Sequence, residues 1–157
     1  MSQDKSDELL ASIRRIIRAI DVHSKDLQKN YGMTGPQLLI LKRINDSSIL
    51  SVSEIAKYVS LSQATVTNIL ARLEQQGYIT RQRGESDKRK VYIETSEKTH
   101  KILENKPSLL QTKFVERFNR LKDWEQSLLL SSLQRVAALM DADRLEVEPN
   151  LFGDSFY

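Results

Sequence analysis

The chain has 157 residues, of which 39% are hydrophobic and 29% charged, a composition typical of a globular protein with one core of useful size. It contains no cysteine, which excludes disulfides, thiolate nucleophiles and thiol-based redox sensing, and its two histidines are too few and too scattered to indicate a zinc site. Its apolar runs are short and its start does not resemble a signal peptide, so we expect a cytoplasmic protein.

The charges are unevenly distributed along the chain. The formal net charge is only +3, yet residues 81–90 hold five Lys or Arg against two acids. Residues 141–157 hold five acids against one arginine. The sequence therefore has a basic patch in its middle, where a nucleic-acid contact is plausible, and an acidic tail.

The first predicted element is a long helix from about Lys5 to Asn30. Residues at helical spacing form one stripe along it: Leu9, Leu10, Ile13, Ile16, Ile17, Ile20, Ser24 and Leu27. At 1.5 Å per residue the helix extends roughly 37 Å, which is longer than a small domain is wide. We therefore expect it to pack against something besides its own domain. Gly32 is suited to the left-handed position that ends it.

Three shorter helices follow, each with a recognisable start. Thr34-x-x-Gln and Ser51-x-x-Glu are capping boxes at the beginning of two of them. Ser62 caps the third, which runs to about Gln76 and stops at Gly77. Two short strands, 78–83 and 91–95, then predict a hairpin, which we call the wing. This order of elements indicates a winged helix-turn-helix.

Two further helical stretches complete the chain. The first begins at Thr95 or Ser96 and runs to about Lys122, but Pro107 should kink it or split it in two. The second covers Trp124 to about Ala142, and its apolar residues spread over more than one face. Such a helix is usually buried from two directions.

The helix of residues 63–76 has a polar side opposite its core stripe. Small alanines there would let the backbone approach the floor of a DNA groove, where amide, hydroxyl and guanidinium groups read base edges or hold phosphates. The candidate residues are Ser62, Gln63, Thr65, Thr67, Asn68 and Arg72. Taken alone, this side could equally be an ordinary solvated helix face.

The basic wing favours the DNA interpretation. A hairpin tip that carries a guanidinium can enter the minor groove, where the negative potential is strongest. The wing candidates are Arg81, Arg83, Asp87, Lys88, Arg89 and Lys90. We interpret Asp87, which is unexpected beside DNA, as a residue that orients Arg89 by a charge-assisted hydrogen bond.

The segment SVSEIAKYVSLSQATVTNILARLEQQGYI, followed by RQRGESDKRKVYIETS, resembles the MarR family of bacterial transcription regulators. Asp87-Lys88-Arg89 matches that family's Asp-x-Arg wing signature. The resemblance extends over nearly the whole chain, except that Pro107 departs from the family's unbroken fifth helix. Within the family, residues 12–37 are similar to regulators of ectoine and other compatible-solute genes.

The resemblance implies a mostly α fold with a small β-hairpin wing and long N- and C-terminal dimerisation helices. One domain would span 1–157: a DNA-binding module at 34–96, dimerisation helices at 5–30 and 97–142, and an acidic tail at 143–157. It also implies a homodimeric repressor on a pseudo-palindromic double-stranded DNA operator, relieved by a small-molecule or solute signal. The fourth helix would enter a major groove and Arg89 a minor groove.

Family members commonly bind an effector between the helical body and the winged module. The residues that could line such a site here are His23, Tyr31, Phe114, Phe118 and Trp124, for each of which ordinary packing is the simpler interpretation. The rival classes are an enzyme and a winged-helix module used only for protein contacts. An enzyme is disfavoured because phosphate-binding glycine loops and the common hydrolase and metalloprotease motifs are absent. We expect no cofactor and no metal.

Overall fold

The computed structural model describes residues 4–47, 49–88, 91–147 and 150–152. Within these ranges the chain forms seven helices and one three-stranded sheet, which confirms the mostly α winged-helix fold. In chain order the elements are α1 (Lys5–Tyr31), α2 (Gly35–Asp46), β1 (Ile49–Leu50), α3 (Val52–Val59), α4 (Gln63–Gln75), β2 (Ile79–Arg83), β3 (Val91–Thr95), α5 (Glu97–Glu104), α6 (Leu110–Phe118) and α7 (Asp123–Leu139).

The described residues divide into two compact units. The first contains everything up to Pro107 together with Leu151 and Phe152, and the second is Ser108–Asn150. The first unit therefore holds α1, the helix-turn-helix, the wing and α5, and the second holds α6 and α7. The assignment of residues 1–157 to a single domain stays a prediction.

The predicted capping residues set the helix ends in the first unit. Ser51 Oγ accepts the Glu54 N–H at 3.1 Å while Glu54 Oε2 accepts the Ser51 N–H at 2.6 Å, so each residue satisfies a backbone donor of the other. The second predicted capping box, at Thr34, is also present. Gly32, with φ of 64°, closes α1 in the left-handed conformation.

The core of the first unit lies where α2, α3 and α4 pack together and against the sheet. Each fully buried aliphatic side chain contributes about 1.5–3 kcal/mol relative to an exposed one. The buried residues are Leu27, Met33, Leu38, Ile40, Leu41, Ile44, Leu50, Ile55, Ala56, Val59, Val66, Leu70, Leu73, Tyr78, Ile79 and Ile93. Because Val66, Leu70 and Leu73 of α4 are all on this list, the opposite face of α4 is turned outward.

The sheet contains one strand that the sequence did not predict. Its order is β1-β3-β2, both pairs antiparallel, with Leu50 opposite Val91 and Arg81 opposite Ile93. β1 is only two residues long, and it pairs with the edge of β3 that faces away from β2. The wing is therefore attached to the helix-turn-helix along one edge.

The C-terminal helical stretch is interrupted around Pro107, as predicted. α5 ends at Glu104 and α6 begins at Leu110, and Lys106 adopts a positive φ of 47° between them. The Nζ of Lys42 donates a hydrogen bond to the Pro107 carbonyl. Partial burial lowers the pKa of this lysine, an effect that the nearby Asp46 carboxylate offsets in part. The predicted continuation to Lys122 was wrong, because α6 ends at Phe118.

Candidate nucleic-acid interface

The start of α4 is held by a small hydroxyl network. Ser62 Oγ accepts the backbone N–H of Thr65 at 3.1 Å and shares a hydrogen bond of 2.7 Å with the Thr65 hydroxyl. One turn later, the Thr67 hydroxyl donates to the Gln63 carbonyl at 2.8 Å. These bonds satisfy helix-end donors and fix the hydroxyl rotamers at the end of the helix that would enter a groove first.

All six residues predicted to contact DNA from this helix are exposed: Ser62, Gln63, Thr65, Thr67, Asn68 and Arg72. Ala64 and Ala71, on the same side, are exposed as well. Within the described part of the chain, the side chains of Gln63, Asn68 and Arg72 have no hydrogen-bond or ion-pair partner. The face thus presents available hydrogen-bond donors and acceptors beside small alanine side chains. This combination suits contact with base edges and phosphates.

The predicted DNA contacts of the wing differ in how exposed their side chains are. Arg83 and Lys88 are exposed, Asp87 is half-buried, and Arg89 and Lys90 lie outside the described residues. The role predicted for Asp87 in orienting Arg89 therefore stays a prediction. The exposed positions put positive charge at the far end of β2 and on the loop that follows it.

Arg81 is engaged within the protein. Its Nε and Nη2 both donate to Oε2 of Glu74, at 2.8 and 2.6 Å. The sequence pattern groups Arg81 with the candidate DNA-contacting cations of the wing and gives no signal for Glu74. The two residues lie seven apart in the sequence, on either side of a chain reversal at Gly77. Ion pairs can be predicted from sequence for residues three or four apart on one helix, and this pair is not of that kind.

The junction between α4 and the wing is anchored to α5. The Tyr78 carbonyl accepts hydrogen bonds from the Ser96 backbone N–H at 2.9 Å and from the hydroxyl of the buried Thr99 at 2.6 Å. Lys98 Nζ donates to the Gln76 carbonyl at 3.1 Å and lies 4.1 Å from the centre of the Tyr78 ring. The start of α5 is thereby hydrogen-bonded to the segment that joins α4 to β2.

The predicted effector residues are divided between the two units. His23 and Tyr31 are half-buried in the first unit. In the second unit the rings of Phe114 and Phe118 stack with centroids 5.7 Å apart, and Trp124 is 62% exposed. The stacked pair has the i, i+4 spacing of ordinary helix packing, so an effector site formed by these five residues stays a prediction.

A separate groove of about 600 Å³ lies within the first unit. It is lined by residues 44–47 at the end of α2, residues 93–95 of β3 and His100 of α5. His100 Nε2 is 2.8 Å from the Thr95 hydroxyl there. The predicted effector residues do not line this groove.

Over the described ranges, no helix is long and apolar enough to span a membrane, and no cluster of three potential metal ligands occurs.

The fold and the outward face of α4 define a winged helix-turn-helix protein. A family model described as the MarR family matches residues 33–91. The transcriptional regulator MgrA of Staphylococcus aureus is 35% identical over 80 residues, so the chain spans about half (54%) of that relative's length and the match covers 51% of this chain. The regulator SarZ of Staphylococcus epidermidis is 31% identical over 104 residues, covering 66% of this chain and 70% of SarZ. The chain belongs to the MarR family, and the relatives it matches are transcriptional regulators rather than enzymes.

A solved structure supports the fold over most of the chain. Sco3205, a MarR family transcriptional regulator from Streptomyces coelicolor in complex with DNA, superposes with a TM-score of 0.58 at 23% identity. The match covers 88% of this chain and 93% of Sco3205. At that identity it establishes the fold alone. The likeness of residues 12–37 to regulators of compatible-solute genes stays a prediction.

Proposed function

We propose that the protein is a sequence-specific regulator of transcription that binds double-stranded DNA as a homodimer, in the cytoplasm. The observation that carries this proposal is the outward face of α4, where Asn68 and Arg72 are exposed and have no side-chain partner among the described residues, beside a wing that exposes Arg83 and Lys88. In this arrangement α4 reads base edges in a major groove and the wing holds the neighbouring minor groove. Residues 34–96 are the DNA-binding module.

The proposed dimer is supported by apolar side chains that the chain leaves uncovered. α1 exposes Leu9, Leu10, Ile16, Ile17 and Val22, and the last helix and its end expose Leu128, Leu129, Leu130, Leu133, Leu139 and Met140. Several exposed apolar side chains on one helix are typical of a surface that associates with another protein chain. A two-fold dimer pairs two copies of α4, which explains why the operator should be a pseudo-palindrome with half-sites about one helical turn apart.

The proposed regulation is repression that a small molecule or solute relieves. Two α4 helices bind one operator only at a suitable separation, so a ligand that prefers another separation weakens DNA binding. The aromatic residues Phe114, Phe118 and Trp124, together with His23 and Tyr31, are the proposed contacts. A thermal-shift screen that includes compatible solutes addresses this part of the proposal.

Selection from a library of random double-stranded DNA, followed by footprinting, tests the proposed function. We expect enrichment of one two-fold-symmetric sequence and a protected region of about two helical turns. DNA upstream of the protein's own gene is the first natural candidate to footprint. Absence of any enriched sequence, with only salt-sensitive binding to all DNA, would refute sequence-specific regulation and favour a module used for protein contacts.

The substitution Arg89→Ala should weaken operator binding and reduce its dependence on salt. Each phosphate contact that is lost lowers the slope of log affinity against log salt by about 0.9, so we expect about one unit for each wing. The measurement is a fluorescence-anisotropy titration at several salt concentrations. Lys101→Ala, which removes an exposed cation from α5, is the matched control and should leave the slope unchanged. Wild-type affinity and slope for Arg89→Ala would contradict a DNA-binding wing.

A further inference from the structure

The Glu74–Arg81 ion pair connects the end of α4 to the middle of β2. Two guanidinium nitrogens of Arg81 donate to one carboxylate oxygen of Glu74, at 2.8 and 2.6 Å. The side chains are 28% and 39% exposed, respectively, so both are partly shielded from water. Two charge-assisted bonds through a planar fork restrain direction as well as distance.

The pair lies at the edge of the wing that β1 does not cover. The wing begins at Tyr78, whose carbonyl is fixed to α5 by Ser96 and Thr99. On its outer side, β3 is held by β1. β2 is the free edge of the sheet over the described residues, and strands in small sheets twist over a wide range. The ion pair restrains this edge against α4.

A role for Arg81 as a phosphate ligand fits these contacts poorly. Its charge is already compensated by Glu74, and a carboxylate 2.6 Å from the guanidinium would repel a phosphate that approached it. Its backbone position opposite Ile93, a fully buried residue, places it on the inner face of the sheet. Arg83, two residues further along β2, is exposed and lies beyond the Glu74 contact, so its charge is the more accessible of the two.

We propose that Glu74 and Arg81 are positioning residues that set the direction of the wing relative to α4. They thereby fix the distance between the major-groove contact and the minor-groove contact within each half-site. This inference rests on the proposed function, because it concerns how the two DNA-reading elements are aligned. It predicts that breaking the pair lowers discrimination between operator and random DNA while nonspecific attraction persists.

Glu74→Gln separates the positioning role from a phosphate-binding role. For positioning, operator affinity should fall about fivefold to twentyfold in a dimer, since exposed pairs are worth up to about a factor of five each, while affinity for random DNA stays the same or rises slightly. The double charge exchange Glu74→Arg with Arg81→Glu should restore most of the loss. Glu94→Gln, which removes an exposed carboxylate from β3 of the same wing, is the matched control. Tighter binding of Glu74→Gln to both DNAs, or unchanged binding to both, would overturn the proposal.

A measurement without DNA distinguishes failure of this inference from failure of the proposed function. Because the chain has no cysteine, Ala71→Cys on α4 and Ser86→Cys on the wing loop provide one pair of spin-label sites in each protomer. Mixing the labelled protein with an excess of unlabelled protein leaves the distance within one protomer as the main signal from the proposed dimer. We expect the distance distribution between the labels to broaden when Glu74→Gln is added, and to narrow again with the double charge exchange. An unchanged distribution would overturn the positioning role even in a protein that binds its operator. Circular dichroism of each variant confirms that the helices are retained.

Discussion

Replacing Leu133 by aspartate should convert the proposed dimer to a monomer. Leu133 is 56% exposed on α7, beside Leu129 and Leu130, which are also exposed. Within a dimer interface the introduced carboxylate would be buried without a partner, which costs about 3–5 kcal/mol. The dimer dissociation constant should therefore rise about 100-fold or more. Light scattering or sedimentation over a micromolar concentration range measures the change.

The same substitution should leave the monomer folded, because the side chain that it replaces is not part of the chain's own core. Ser131→Asp is the matched control. Two residues on a helix are about 200° apart, so Ser131 lies on the side of α7 opposite Leu133. We expect this control to remain dimeric and to bind operator DNA. A Leu133→Asp variant that stays dimeric at low micromolar concentration would show that α7 is not the dimer contact.

Asn68→Ala should relax the sequence preference of the protein at one base pair in each half-site. An amide that makes a bidentate contact with adenine contributes about 1–3 kcal/mol of discrimination, which is about a 5- to 150-fold effect for each subunit. Asn68 is exposed and has no partner in the described part of the chain, so its removal leaves the fold intact. Titration of operators altered one base pair at a time measures the loss of preference.

Gln75→Ala is the control for the Asn68 prediction. Gln75 is an exposed amide on the same side of α4, two turns closer to its C-terminus, where a helix in the major groove moves away from the bases. This variant should bind the operator with nearly wild-type preference. Equal losses of affinity by Asn68→Ala on operator and random DNA would exclude base recognition by Asn68 and leave it a nonspecific contact.

The helices and their starts could be predicted because their signals are local. Capping boxes at Thr34 and Ser51 lie three residues from their partners, and apolar periodicity locates the buried side of α4. The wing strands were predicted from their composition, and the break between α5 and α6 was predicted from Pro107. The outward position of the polar side of α4 followed from the same periodicity.

The missed features depend on contacts between distant parts of the chain. β1 is two residues of an unremarkable sequence, Ile49–Leu50, and it exists only because β3 is there to pair with it. The Glu74–Arg81 pair arises from a reversal at Gly77 that brings a helix end beside a strand. The width of the break around Pro107 also depends on the left-handed Lys106 and on Lys42 from α2. None of these follows from spacing along the chain.

The two hydrogen bonds that the Tyr78 carbonyl accepts have a mechanical consequence. At this one residue the end of α4, the first strand of the wing and the N-terminal turn of α5 share hydrogen bonds, two of them from Ser96 and Thr99. A force applied along α5 therefore reaches both α4 and the wing through the hydrogen bonds at this residue. In the proposed dimer, a displacement of α5 would therefore change the separation of the two α4 helices and the reach of the two wings together.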